Sequence, residues 1–76
     1  MLDYRTEKVY PLSEFVRELA ATRNIDRSED AVRRWIVDGA TVNGSRVTLD
    51  AVRVNRSWHT SIEAFDRFVA AQNREP

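Results

Sequence analysis

Residues 28–39, SEDAVRRWIVDG, restrict the fold of this chain more than any other stretch. Val32, Trp35, Ile36 and Gly39 stand at i, i+3, i+4 and i+7, so a helix here carries an apolar side. Ser28 offers a hydroxyl to the free amides of a first turn, while Glu29 and Asp30 put negative charge at the positive end of the helix dipole. Asp26 competes with Ser28 for the cap, because Asp26 and Glu29 also have capping-box spacing. Gly39 suits the left-handed residue that closes a helix. Arg33 and Arg34 lie off the apolar stripe. The stretch therefore predicts a short helix with one face for a core and two guanidinium groups pointing elsewhere.

The flanking patterns arrange the rest around it. Leu12, Phe15, Val16, Leu19 and Ala20 repeat with helical period, predicting a helix from 12 to about 22 with Pro11 and Ser13 at its start. Glu14, Arg17, Glu18 and Ala21 form its outer face. Residues 22–27 are polar except Ile25, which is expected to plug the core as the chain turns. Residues 1–10 show no period and read as an arm; residues 8–10 are expected to be extended, since a residue before proline avoids the helical region. After Gly39 the pattern alternates. Asn43-Gly44 is a tight-turn signal between residues 41–42 and 46–47. A second turn, Asn55-Arg56-Ser57, leads into Trp58, His59 and Thr60. That spacing places Val52, Val54, Trp58 and Thr60 on the inner face of a hairpin, with Arg53 and His59 outside and Asn55 and Arg56 at the tip. Thr60 and Glu63 have capping-box spacing, and Ile62, Phe65, Phe68 and Val69 form the stripe of a last helix. The expected division is an arm over 1–10, one domain over 11–72 and a tail over 73–76.

Seventy-six residues allow one domain. A domain of this size buries only roughly 60% of its unfolded surface, so a few large residues must supply the core. The candidates are Phe15, Leu19, Val32, Trp35, Ile36, Val52, Trp58, Phe65 and Phe68. Cysteine is absent, which excludes disulfides and thiolate metal sites and fits a reducing cytoplasm. No run reaches the length of a membrane span, and the expectation is a soluble cytoplasmic protein. The single histidine, His59, has no second imidazole or thiolate with which to hold a metal. Gly39 and Gly44 are the only glycines, so no glycine-rich phosphate loop exists. Ser13, Ser28, Ser45, Ser57 and Ser61 sit at caps and turns, and no Ser-His-Asp arrangement suggests itself. The chain is therefore expected to be neither an enzyme nor the holder of a cofactor. Trp35 and Trp58 fall on inner faces, which makes them core residues rather than stacking platforms for single strands.

The ordered set of Leu12-Ser13-Glu14, the helix from Ser28 through Val32-Arg33-Arg34-Trp35-Ile36 to Gly39, and the run Val52-Arg53-Val54, Trp58, Thr60-Ser61, Glu63-Ala64-Phe65 and Phe68 resembles the excisionase and mercury-resistance-regulator (MerR) type of winged helix. Within that type it looks especially like a set of short bacterial proteins of unknown function. The resemblance covers roughly residues 10–70. It implies an α+β fold, a small winged helix-turn-helix of two helices, a β-hairpin wing and a C-terminal helix. It further implies double-stranded DNA binding, as a directionality factor in recombination or a small transcription regulator. In such domains the second helix enters the major groove and the wing touches the backbone or minor groove beside it. Carried over residue by residue, Arg33 and Arg34 would reach bases or phosphates, Ser28 a phosphate, and Arg53, Asn55 and Arg56 would act from the wing. Two departures from the pattern bear on the docking angle: residues 22–27 exceed the three- or four-residue turn of the simplest helix-turn-helix, and residues 40–50 add an Asn-Gly turn before the wing. A domain this small covers a short site, so a dimer, cooperative neighbours or a recombinase partner is expected.

Charge argues the other way. Twelve basic and twelve acidic residues cancel, whereas many DNA-binding domains are clearly positive. Glu29 lies four residues before Arg33, and Asp30 four before Arg34. That is the favourable orientation for helix ion pairs, worth about 0.2–0.5 kcal/mol each. The alternative expectation is a protein–protein interaction module on the same fold that has no DNA contact.

Overall fold

The computed structural model describes residues 2–42 and 44–73. Pro11 is extended at φ −62° and ψ 158° and opens helix α1, Leu12–Arg23, without a side-chain cap. Leu12, Phe15 and Leu19 bury the apolar stripe of α1, while Ala20, expected on the same stripe, is exposed. The helix ends at Asn24, a left-handed residue (φ 57°) whose amide returns to Ala20 O. Ile25 then packs against the core.

Helix α2, Glu29–Val37, starts where its cap does: the Ser28 hydroxyl accepts from the Ala31 amide at 3.2 Å. Ser28, not Asp26, is thus the N-cap. The helix closes through Asp38 and Gly39, whose amides both donate to Arg34 O at 2.8 Å. Gly39 is left-handed at φ 74°, as a terminating glycine should be.

Two small antiparallel sheets follow. Strands β2, Ala40–Val42, and β3, Ser45–Val47, pair with each other. Gly44 (φ 80°) stands in their turn, and Asn43, the other half of the turn signal, lies outside the described residues. The second sheet has the order β1-β5-β4, with β1 at Tyr10–Pro11, β4 at Val52–Val54 and β5 at Ser57–Thr60.

Its register corrects the face assignment made from sequence. The β4–β5 turn holds two residues, not three: Val54 pairs Ser57, Arg53 pairs Trp58 and Val52 pairs His59. Opposed residues in an antiparallel pair share a face, and a one-residue shift moves every side chain across the sheet. Val52 and Val54 therefore lie with His59, and Arg53 lies with Trp58. The two central residues, Asn55 (φ 50°) and Arg56 (φ 67°), both have positive φ, the requirement of the tight turn whose twist matches a hairpin.

Helix α3, Ile62–Gln72, is capped by Ser61, whose hydroxyl accepts from the Ala64 amide at 2.9 Å. The Thr60–Glu63 capping box does not form. Thr60 is the last residue of β5, paired with Tyr10, and its hydroxyl donates to Asp50 O at 2.8 Å. Phe65 and Phe68 are buried, Ile62 is half-buried, and Val69 is 37% exposed while Ala64 is buried, so the buried stripe is turned away from Val69 towards Ala64.

The core joins Phe15, Leu19, Val32, Phe65 and Phe68 with four residues absent from the expected set, Leu2, Leu12, Leu49 and Ala64. Trp35, Ile36, Val52 and Trp58 pack around it half-exposed. The Trp35 ring stands 5.8 Å from Phe65 and 5.6 Å from Phe68, tilted on both, a favoured aromatic arrangement. It holds α2 to α3. Arg23 at the end of α1 grips Asp66 of α3 with two bonds of 3.0 and 2.6 Å, which holds the Asp66 carboxyl below its usual range. The described residues form a mixed α+β fold of three helices and two small antiparallel sheets. No helix among the described residues is long and apolar enough to cross a membrane.

Candidate nucleic-acid interface

With Val32 buried and Trp35 and Ile36 turned to the core, α2 must present the opposite side to solvent. Asp30, Arg33, Arg34 and Val37 occupy that side, and all four are exposed. The pairing of charges there differs from the four-residue spacing anticipated. Arg33 instead reaches back three residues to Asp30 at 2.8 Å, with the two side chains 50% and 86% exposed. Such a surface pair is weak, about 0–1 kcal/mol. Arg34 makes no ion pair or side-chain hydrogen bond among the described residues.

The hairpin stands beside this helix. An open cleft of about 330 Å³ is walled by Leu12 and Ser13 at the start of α1, Glu29 and Arg33 of α2, and Arg53, Arg56, Ser57 and Trp58 of the hairpin. Three of the six residues expected to contact DNA thus meet in one place: Arg33, Arg53 and Arg56. Three arginines and Glu29 line it, and one of the three, Arg33, is paired with Asp30, although the chain as a whole is neutral. The Arg53 guanidinium lies 4.9 Å from the centroid of the Trp58 ring, a cation–π contact that fixes its direction without neutralising it. Arg56 makes no side-chain hydrogen bond or ion pair among the described residues.

The other three lie apart. Ser28 and Arg34 border a separate depression of about 500 Å³ with Asp30, Ala31, Trp35 and Gly39. The Ser28 hydroxyl is already engaged as the cap of α2. Asn55 is exposed at the hairpin tip and lines neither hollow. His59 is half-buried, on the face opposite Trp58, with Nδ1 3.2 Å from Ser57 O. Sequence reasoning missed Trp58 as a wall of the cleft because it assumed the longer turn.

The arm leaves this surface open. Beyond the pairing of Tyr10 with Thr60 and bonds within the arm, its described polar side-chain contacts are those of Glu7, whose carboxylate accepts from Ser61 Oγ at 2.7 Å and from Arg67 Nη2 at 3.1 Å. These bonds hold Glu7 below its ordinary pKa of 4.5, the Ser61 hydroxyl most of all and the Arg67 guanidinium next. No protein-family model matches the chain, and neither a curated protein nor a solved structure is significantly similar to it.

Proposed function

We propose that the chain is a sequence-specific double-stranded DNA-binding domain of the winged helix-turn-helix type. In this reading α2 lies in the major groove and the β4–β5 hairpin acts as the wing. It would serve as an excisionase-like directionality factor or a small transcription regulator. The observation that carries the reading is the convergence of Arg33, Arg53 and Arg56 on one open cleft between helix and hairpin. A neutral protein that gathers its cations this way creates a local positive field, which serves a polyanion. Arg56 adds support. A non-glycine residue at φ 67° is held in a conformation costing about 1–2 kcal/mol, and such strain gathers at functional sites. Arg53 and Arg56 contact phosphate, which fixes position but reads no sequence. Arg33 and Arg34 reach base edges, where a bidentate arginine–guanine contact discriminates by about 1–3 kcal/mol.

A second reading, a protein-binding module on the same fold, draws on the Asp30–Arg33 pair and on Glu29 in the cleft wall. Titrating binding to mixed duplex DNA against salt separates the two. Phosphate contacts release counterions, so affinity should fall steeply as salt rises, and Arg56→Ala should lower the salt slope by about one. Absence of binding at low salt rejects the DNA reading.

A further inference from the structure

The outward side of α2 carries a single apolar residue. Val37 is 57% exposed and shares a shallow depression of about 280 Å³ with Asp30, Arg33, Arg34 and Asp38. It stands four residues after Arg33 and three after Arg34, which puts it on their side of the helix, one turn further along. Nothing in the helix itself calls for valine there. A β-branched side chain loses rotamer freedom in a helix, and at this exposure it recovers little by burial.

We infer that Val37 is a base-reading residue whose methyl groups pack against the C5-methyl of a thymine. The inference rests on the DNA-binding reading above and supplies a preference that the arginines alone do not. Among the donors and acceptors that base pairs show in the major groove, the thymine methyl is the apolar group. Guanidinium groups on the preceding turn draw the ridge towards a phosphate-lined groove, so the valine is carried in with them. One helical turn rises about 5.4 Å and stacked base pairs about 3.4 Å. The thymine therefore lies one or two base pairs from the base read by Arg33 or Arg34.

Two duplexes of about 20 base pairs, d(GT)·d(AC) and its uracil counterpart d(GU)·d(AC), differ only in that methyl and set a thymine beside every guanine that the arginines can read. The wild-type chain should bind the thymine duplex about fourfold more tightly than the uracil duplex, the effect of withdrawing one methyl group from water. Val37→Ser should bind both duplexes equally while keeping its salt slope and, by circular dichroism, its fold. Equal binding of the two duplexes by the wild type, with a steep salt slope, overturns the methyl contact and leaves the DNA reading standing. A preference that survives in Val37→Ser overturns it too, since another residue then reads the methyl. No salt-sensitive binding to either duplex rejects the DNA reading and this inference with it.

Discussion

At the scale of single residues, the two glycines have different reasons to be there. Both are left-handed, Gly39 at φ 74° and Gly44 at φ 80°. A Cβ on Gly39 would overlap the Val47 carbonyl oxygen and stand 2.8 Å from Thr48 Cγ2, whereas a Cβ on Gly44 meets nothing within 4 Å. Gly44→Ala should therefore cost only the conformational penalty, about 1–2 kcal/mol. Gly39→Ala should cost about 2 kcal/mol more, because backbone of β3 must give way to an overpacked contact. A domain of this size has roughly 4–11 kcal/mol in all. Urea denaturation of the two variants should thus show one modestly and one severely weakened. Equal losses would mean that β3 does not press on the end of α2. The terminating role of Gly39 could be read from sequence; the pressure of a strand against it could not, because no local pattern announces a neighbour eight residues away.

At the scale of elements, helices were more legible than sheets. The buried stripes of α1 and α2 follow from a period of 3.6, the start of α1 from Pro11 and that of α2 from its cap Ser28, which are local facts. Hairpin register is decided by one residue in the turn. Counting Ser57 as turn paired Val54 with Trp58 and put Arg53 outside the hairpin, away from Trp58. With Asn55 and Arg56 alone in the turn, Arg53 lies over the Trp58 ring instead. Nothing in the alternation distinguishes these registers, since Ser57 suits a turn or an edge. The cost is visible at Arg56, where glycine would suit the turn better. Arg56→Gly should stabilise the hairpin by about 1 kcal/mol, raising Tm by about 4–8 °C, and, on the DNA-binding reading proposed above, should weaken DNA binding at the same time. Calorimetry beside a binding titration checks both. A variant that gains stability and binds DNA as tightly as the wild type would remove Arg56 from the interface.

At the scale of the whole molecule, the question is why residues with no recognisable pattern are folded at all. The Cα radius of gyration is 12.0 Å, close to the roughly 11 Å of a compact chain of this length, so residues 2–10 do not trail from the body. Leu2 enters the core at 9% exposure, and the Glu7 side chain, 13% exposed, is held by Ser61 and Arg67 of the α3 region. Ser61 is also the cap of α3, so one hydroxyl ties the arm to the start of the last helix. Charged hydrogen bonds of this kind are worth about 1.5–3 kcal/mol. Because folding holds Glu7 below its ordinary pKa of 4.5, its contribution is complete above about 4.5. It is lost as pH falls through the lower, folded value. Glu7→Gln keeps an oxygen for Ser61 but gives up the charge facing Arg67. It should be less stable than the wild type near neutrality, with a gap that narrows as acid protonates Glu7 in the parent. Asp66, also held low by Arg23, titrates in both proteins and cancels from the comparison. Denaturation midpoints measured from pH 7 down to pH 3 decide the matter. A gap that stays constant across that range would show that Glu7 acts by shape and not by charge. On the DNA-binding reading proposed above, binding at neutral pH should be the same in both, since Glu7 bonds to Ser61 and Arg67 and lines neither hollow beside Arg33, Arg34, Arg53 and Arg56.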